Sequence, residues 1–108
     1  MLTTPKIIYG NVNSDGTVSS GQGYRVEKIE KGLYTVIFDQ SFKDRPGVSV
    51  TEVWPGDITS HGGNTKDNAV LVAVEPDRFR VKVGTQDGDA ADRAFSFVAT
   101  GIPLYPDA

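Results

Sequence analysis

The chain has 108 residues, 11 Lys and Arg against 14 Asp and Glu, a net charge of −3 and no cysteine. This length reads as one domain, large enough to bury a core without crosslinks. The absence of cysteine excludes disulfides, thiolate nucleophiles and cysteine-based zinc sites. Acidic and basic residues are interspersed without a basic block, which argues against a nucleic-acid partner. No run of about 18 apolar residues occurs, so no membrane-inserting helix is expected.

Met1–Pro5 reads as a loose arm, and its apolar content is too short for a signal peptide. The expectation is a protein that stays in the cell that makes it or leaves by lysis, in a particle or by another route. KIIYGN, residues 6–11, reads as a short strand. Asn13-Ser14-Asp15-Gly16 is a turn signal, because Asp-Gly supplies positive φ to a tight hairpin. A return strand follows over 17–20, and 19–23 reads as a flexible corner. YRVEKIE, residues 24–30, changes parity near Glu27–Lys28, the mark of a bulge or of an edge strand. Lys31-Gly32 turns into a strand over 33–39 with Tyr34, Val36 and Phe38 on one side. Val48–Val53 alternates again, and the two runs are expected to face each other across Gln40–Gly47.

Residues 54–68, WPGDITSHGGNTKDN, form the longest irregular stretch, and long loops in compact domains tend to carry function. AVLVAV, residues 69–74, is continuously apolar and reads as a central strand covered on both faces. RFRVKV, residues 78–83, places Phe79, Val81 and Val83 inward and Arg78, Arg80 and Lys82 outward. Residues 84–93 form an acidic loop. AFSFVATG, residues 94–101, is the last strand, and 102–108 is a second peripheral arm. No helical period appears. The twelve glycines and the turn spacing predict an all-β, antiparallel β-sandwich of seven or eight short strands in a single domain. The expected core is Tyr34, Val36, Phe38, Phe42, Val48, Val50, Leu71, Phe79, Val81, Phe95 and Phe97.

The pattern Gly21-x-Gly23-Tyr24-x-Val26, followed by Gly32-x-Tyr34-x-Val36-x-Phe38, Phe42, Pro46-x-Val48-x-Val50, resembles the small β-sandwich modules of phage tail-fibre tips. Val70-x-Val72, Phe79-x-Val81 and Phe95-x-Phe97-x-Ala99-x-Gly101 are similar to the closing strands of H-type, discoidin-like lectin domains. The resemblance spans residues 21–101 and rests mostly on core positions. It implies a homotrimer that binds sugars at or near subunit contacts. The sugar-contacting positions of such lectins do not align with this chain. The apolar segment Ile102-Pro103-Leu104-Tyr105, without an evident place in a monomer core, points the same way as the trimer.

Candidate site residues fall into three groups. Trp54 stands where a strand meets the long loop, with Asp57, His61 and Asn64 following. An aromatic ring at a loop mouth can stack on a sugar or anchor a partner, or it can cap the core edge. Arg78 and Arg80 give one strand a basic outer face, suited to an acidic glycan or simply solvated. Asp87, Asp89 and Asp92 cluster three carboxylates on one loop, a composition that suits calcium, although the spacing is not that of an EF-hand. A solvated acidic hairpin is the alternative. One histidine and no cysteine leave no nucleophile–base–orienter set, which argues against an enzyme, although a carboxylate pair for glycoside hydrolysis stays open. The resemblance, together with Trp54 and the long loop, implies a non-enzymatic module that binds a glycan or cell-surface ligand. A structural or assembly protein without a small-molecule ligand is the alternative.

Overall fold

The computed structural model describes residues 4–105, and all its regular elements are strands. They are β1 (Lys6–Val12), β2 (Val18–Gly21), β3 (Tyr24–Glu30), β4 (Leu33–Phe38), β5 (Gly47–Val53), β6 (Asn68–Glu75), β7 (Arg78–Gly84) and β8 (Ala94–Gly101). Two four-stranded antiparallel sheets, β2-β1-β8-β5 and β3-β4-β7-β6, pack face to face as a β-sandwich. Met1–Thr3 and Pro106–Ala108, the ends of the two expected arms, lie outside the described residues.

Alternation in the sequence drives this arrangement. β7 reads exposed-buried throughout, and Phe79, Val81 and Val83 meet Phe95, Phe97 and Ala99 of β8 in one core with Val12, Tyr24, Tyr34, Val36, Phe38 and Phe42. Val48, Val50 and Leu71 pack against this core while remaining partly exposed. Edge-to-face ring contacts tie the layers together: Phe79 to Phe97 at 5.0 Å, Tyr24 to Phe97 at 4.9 Å and Tyr34 to Phe95 at 5.3 Å between centroids.

Four expectations are corrected. β4 and β5 do not pair; β4 joins β3 and β7, whereas β5 crosses to the other sheet and pairs with β8. β6 is not a central strand. It ends its sheet, a bulge interrupts it between Leu71 and Ala73, and Val70 and Val72 are half exposed because no layer covers that face. The strand buried on both faces is β4, where Thr35 and Ile37 lie beneath their cross-strand neighbours. Thr35 sits between Glu27 and Arg80, and Ile37 between Arg25 and Arg78. The long side chains cover the smaller ones with their apolar stems. Residues 19–21 belong to β2 rather than to a flexible corner. The segment after β8 also has a place within the monomer. Pro103 bridges to Phe42 and the Lys43 amide donates to the Ile102 carbonyl at 2.8 Å, leaving Leu104 and Tyr105 exposed.

The β3 irregularity falls between Lys28 and Glu30, on an edge strand. The Asp15-Gly16 hairpin forms as read, with Asp15 Oδ1 accepting from Thr17. The outer faces of the two sheets differ in kind. On the second sheet, cross-strand rows run Arg25–Ile37–Arg78–Glu75, Glu27–Thr35–Arg80–Ala73 and Glu30–Leu33–Lys82–Val70. On the first they run Ile7–Thr100–Gly47, Tyr9–Val98–Ser49 and Asn11–Ser96–Thr51.

Candidate functional site at one end of the sandwich

The loop after β5 and the loop after β7 meet at one end of the sandwich because their anchoring strands bring them there. Asn68 at the start of β6 pairs with Gly84 at the end of β7. Glu52, pointing inward from β5 opposite Phe95, accepts a hydrogen bond from the Gly84 amide at 3.1 Å. Its side chain is only 5% exposed, and Arg93 Nη1 lies 4.0 Å from its carboxylate. Burial pushes the Glu52 carboxyl above its ordinary range and outweighs the Gly84 amide and the Arg93 charge, while Asp67 adds to the rise. Arg93 Nη1 is itself buried and has no hydrogen-bond partner among the described residues.

Trp54 sits directly above this pair. The Arg93 guanidinium lies 5.1 Å from the indole centroid, a cation–π contact. The loop then folds back over the ring. A Cβ on Gly62 would meet Trp54 Nε1 at 2.4 Å, and one on Gly63 would lie 3.6 Å from Cγ. Trp54 therefore keeps 41% exposure but spends ring surface on Arg93 and on its own loop. Gly62→Ala is expected to displace the loop, since even a methyl group collides with the ring. The readout is a red shift in tryptophan emission with a stability loss of about 1 kcal/mol, at the low end for overpacking. Unchanged emission would show that the loop does not cover the indole.

Asp57 and Asn64 organise the loop rather than offering free groups. Asp57 Oδ1 accepts from Thr59 N at 2.9 Å and from Thr59 Oγ1 at 2.6 Å, which holds its carboxyl below the usual range. Ile58 is fully exposed at the apex of that turn. Asn64 Oδ1 accepts from Lys66 N, and Asp67 Oδ2 accepts from Asn64 N, both at 2.9 Å. His61 is exposed on the same loop and makes none of its side-chain hydrogen bonds.

Asp87, Asp89 and Asp92 do not converge. Asp92 Oδ1 accepts from the Gly32 amide at 2.9 Å and from Lys28 Nζ at 3.1 Å, and these bonds, Gly32 first, hold its carboxyl low. Gly32 is obligatory here: its φ is +71°, and a Cβ would lie 2.7 Å from the Val83 carbonyl oxygen. The turn before Asp92 closes through backbone bonds, Thr85 N to Asp89 O at 2.8 Å and Gly88 N to Thr85 O at 3.0 Å. Among the described residues, no group of three or more His, Asp or Glu side chains is placed to hold a metal ion. The calcium expectation therefore finds no assembled ligand set.

Arg78 and Arg80 lie away from Trp54, toward the start of β7. Arg78 pairs with Asp77 at 3.0 Å and Arg80 Nε donates to Thr35 Oγ1 at 3.0 Å. With Val72, Ala73 and Glu75 they line a groove of about 210 Å³ at the β6 bulge. A cleft of about 260 Å³ opens instead where the two loops meet. Lys66, Asn68, Lys82, Thr85, Gln86 and Asp89 ring it, and Val70 and Ala90 supply apolar surface. Of these polar residues only Lys82 and Asp89 stood out in the sequence. The signal for the rest is register: a hairpin of β6 and β7 places the residue opening β6 beside those closing β7.

The chain has no significant match to a family model, a curated protein or a solved structure.

Proposed function

We propose that the protein is a non-enzymatic recognition module that binds a glycan in the Lys66–Asp89 cleft. The observation that carries this reading is the cleft's chemistry. Amide, hydroxyl and ammonium groups converge over a patch of apolar surface, which is what a sugar's hydroxyl rim and C–H face require. Lys66 and Lys82 outnumber Asp89 and favour an acidic sugar. Glycoside hydrolysis needs two carboxyl groups at a set separation. Each of the two clefts is lined by a single carboxylate, Asp89 in one and Glu75 in the other, which favours binding over turnover. Trp54 acts here as a scaffold for the loop rather than as the stacking platform.

The test is a glycan panel with neutral and acidic members, followed by calorimetry. The double variant Asn68→Ala, Gln86→Ala is expected to weaken binding of the best ligand about tenfold, since two hydrogen bonds contribute about 1.4 kcal/mol or more together. Trp54→Ala is expected to change affinity much less. Absence of any bound glycan, or equal binding by the double variant, would remove this reading. A second reading, a structural component that assembles with its own copies, is favoured by the uncharged outer face of the first sheet.

A further inference from the structure

We infer that the outer face of the first sheet is a self-association surface that pairs two copies of this chain face to face. The inference stands independently of glycan binding. In a chain that is 23% charged, the outward positions of β1, β8 and β5 carry no charged residue at all. The second sheet's outer rows each hold acidic and basic side chains. Burying the first face therefore removes no ion from water, whereas burying the second would strip several.

The uncharged face also presents a contiguous apolar patch. Ile7 is 66% exposed, Tyr9 57% and Val98 46%, and Tyr9 lies directly opposite Val98 in the ladder. Around them stand Ser49, Thr51, Ser96 and Thr100. Hydroxyl groups both donate and accept, so this face complements itself and needs no partner of opposite charge. That argues for a second copy. Two chains of net charge −3 repel through their other surfaces, and an uncharged contact with the charged sheets turned outward keeps those charges apart. The seven paired rows of β1, β8 and β5, with strands spaced by about 4.8 Å and residues rising about 3.4 Å each, give a projected footprint of about 340 Å². A face of this size, below the about 800 Å² per partner of a standard interface, suits a weak, concentration-dependent contact. Sheets stack readily at about 10 Å separation with a rotation of about 30°.

Such a contact is isologous and closes at two copies. A trimer, the state implied by the tail-fibre and lectin resemblance, would need two different surfaces to meet instead. Light scattering coupled to size exclusion, from micromolar to millimolar protein and without glycan, tests the inference. The mass is expected to rise with concentration from 11.6 kDa toward twice that value. Val98→Lys and Ser49→Lys are each expected to hold it at 11.6 kDa, and Glu27→Lys, on the opposite sheet, to leave the wild-type behaviour unchanged. Circular dichroism reports whether each variant is folded. Ser49 is exposed on the edge strand β5, so it carries the test if Val98→Lys unfolds. A mass of 11.6 kDa at every concentration, a mass of three copies, or a dimer that survives Ser49→Lys would overturn the inference.

Discussion

Phe79→Ala is expected to lower the unfolding free energy by about 4 kcal/mol, as read from the urea midpoint. Phe79 is 1% exposed and projects from β7, an interior strand of its sheet. Its ring meets Phe97 of the opposing sheet edge-on at 5.0 Å and Phe38 of its own sheet at 6.0 Å. Phe38 meets Phe42 at 5.1 Å and Phe97 meets Tyr24 at 4.9 Å, so Phe79 is the middle link of a five-ring chain crossing the core. Removing it leaves a cavity that neighbouring rings, fixed by their own backbones, cannot collapse to fill. The loss is a large fraction of the about 5–15 kcal/mol available to a domain. Wild type and variant must be compared at one protein concentration, because any pairing of copies stabilises the folded state by mass action. A loss below about 1.5 kcal/mol would mean that the site relaxes and that the ring chain is not the centre of the core.

Most of the fold was legible wherever alternation was unambiguous. The bounds of β3 and β8 match the expectation residue for residue, β3 despite its change of parity, and β7, where charged and apolar residues alternate through RFRVKV without exception, differs by one. What failed was inference about neighbours. AVLVAV is apolar on both sides, yet β6 is an edge whose outer valines face solvent. TVIF reads as one-sided, yet Thr35 and Ile37 are buried by arginines that lie more than ten residues away in sequence. Burial of an outward residue depends on which strand lies beside it, and strand order is a long-range property that periodicity does not encode.

The site was less legible for the same reason. Trp54 was recognisable as an aromatic at a loop mouth, but its surroundings are set by Arg93, 39 positions later, and by glycines that let the loop close over it. Asp57, Asn64 and Asp92 looked available as ligands because sequence lists side chains and not their bonds. All three turn out to hold backbone amides. The cleft residues Asn68, Thr85 and Gln86 are ordinary polar types whose convergence is created by pairing β6 with β7.

The buried charge beneath Trp54 yields the second large effect. Arg93→Ala is expected to destabilise the protein by about 3 kcal/mol at pH 7, the lower end for breaking a buried pair. Glu52 would keep only the Gly84 amide as a partner. The pH dependence follows from the direction of the Glu52 shift. Its folded-state carboxyl binds a proton more tightly than in the unfolded chain, so its contribution is fully present below the unfolded value. That contribution is lost as pH rises through the higher folded value. The penalty in Arg93→Ala should therefore shrink in mild acid, where Glu52 is protonated and no longer needs a cation. Glu52→Gln is expected to gain on wild type as pH rises from the acidic side toward neutral, because the amide has no proton to lose. The double variant Glu52→Gln, Arg93→Ala should recover much of the loss at pH 7, a coupling that two independent sites would not produce. Urea midpoints for the four proteins at acidic and neutral pH measure all of this. A pH-independent Arg93→Ala penalty, or strict additivity in the double variant, would show that Arg93 stabilises the loop end through Trp54 alone and not through Glu52.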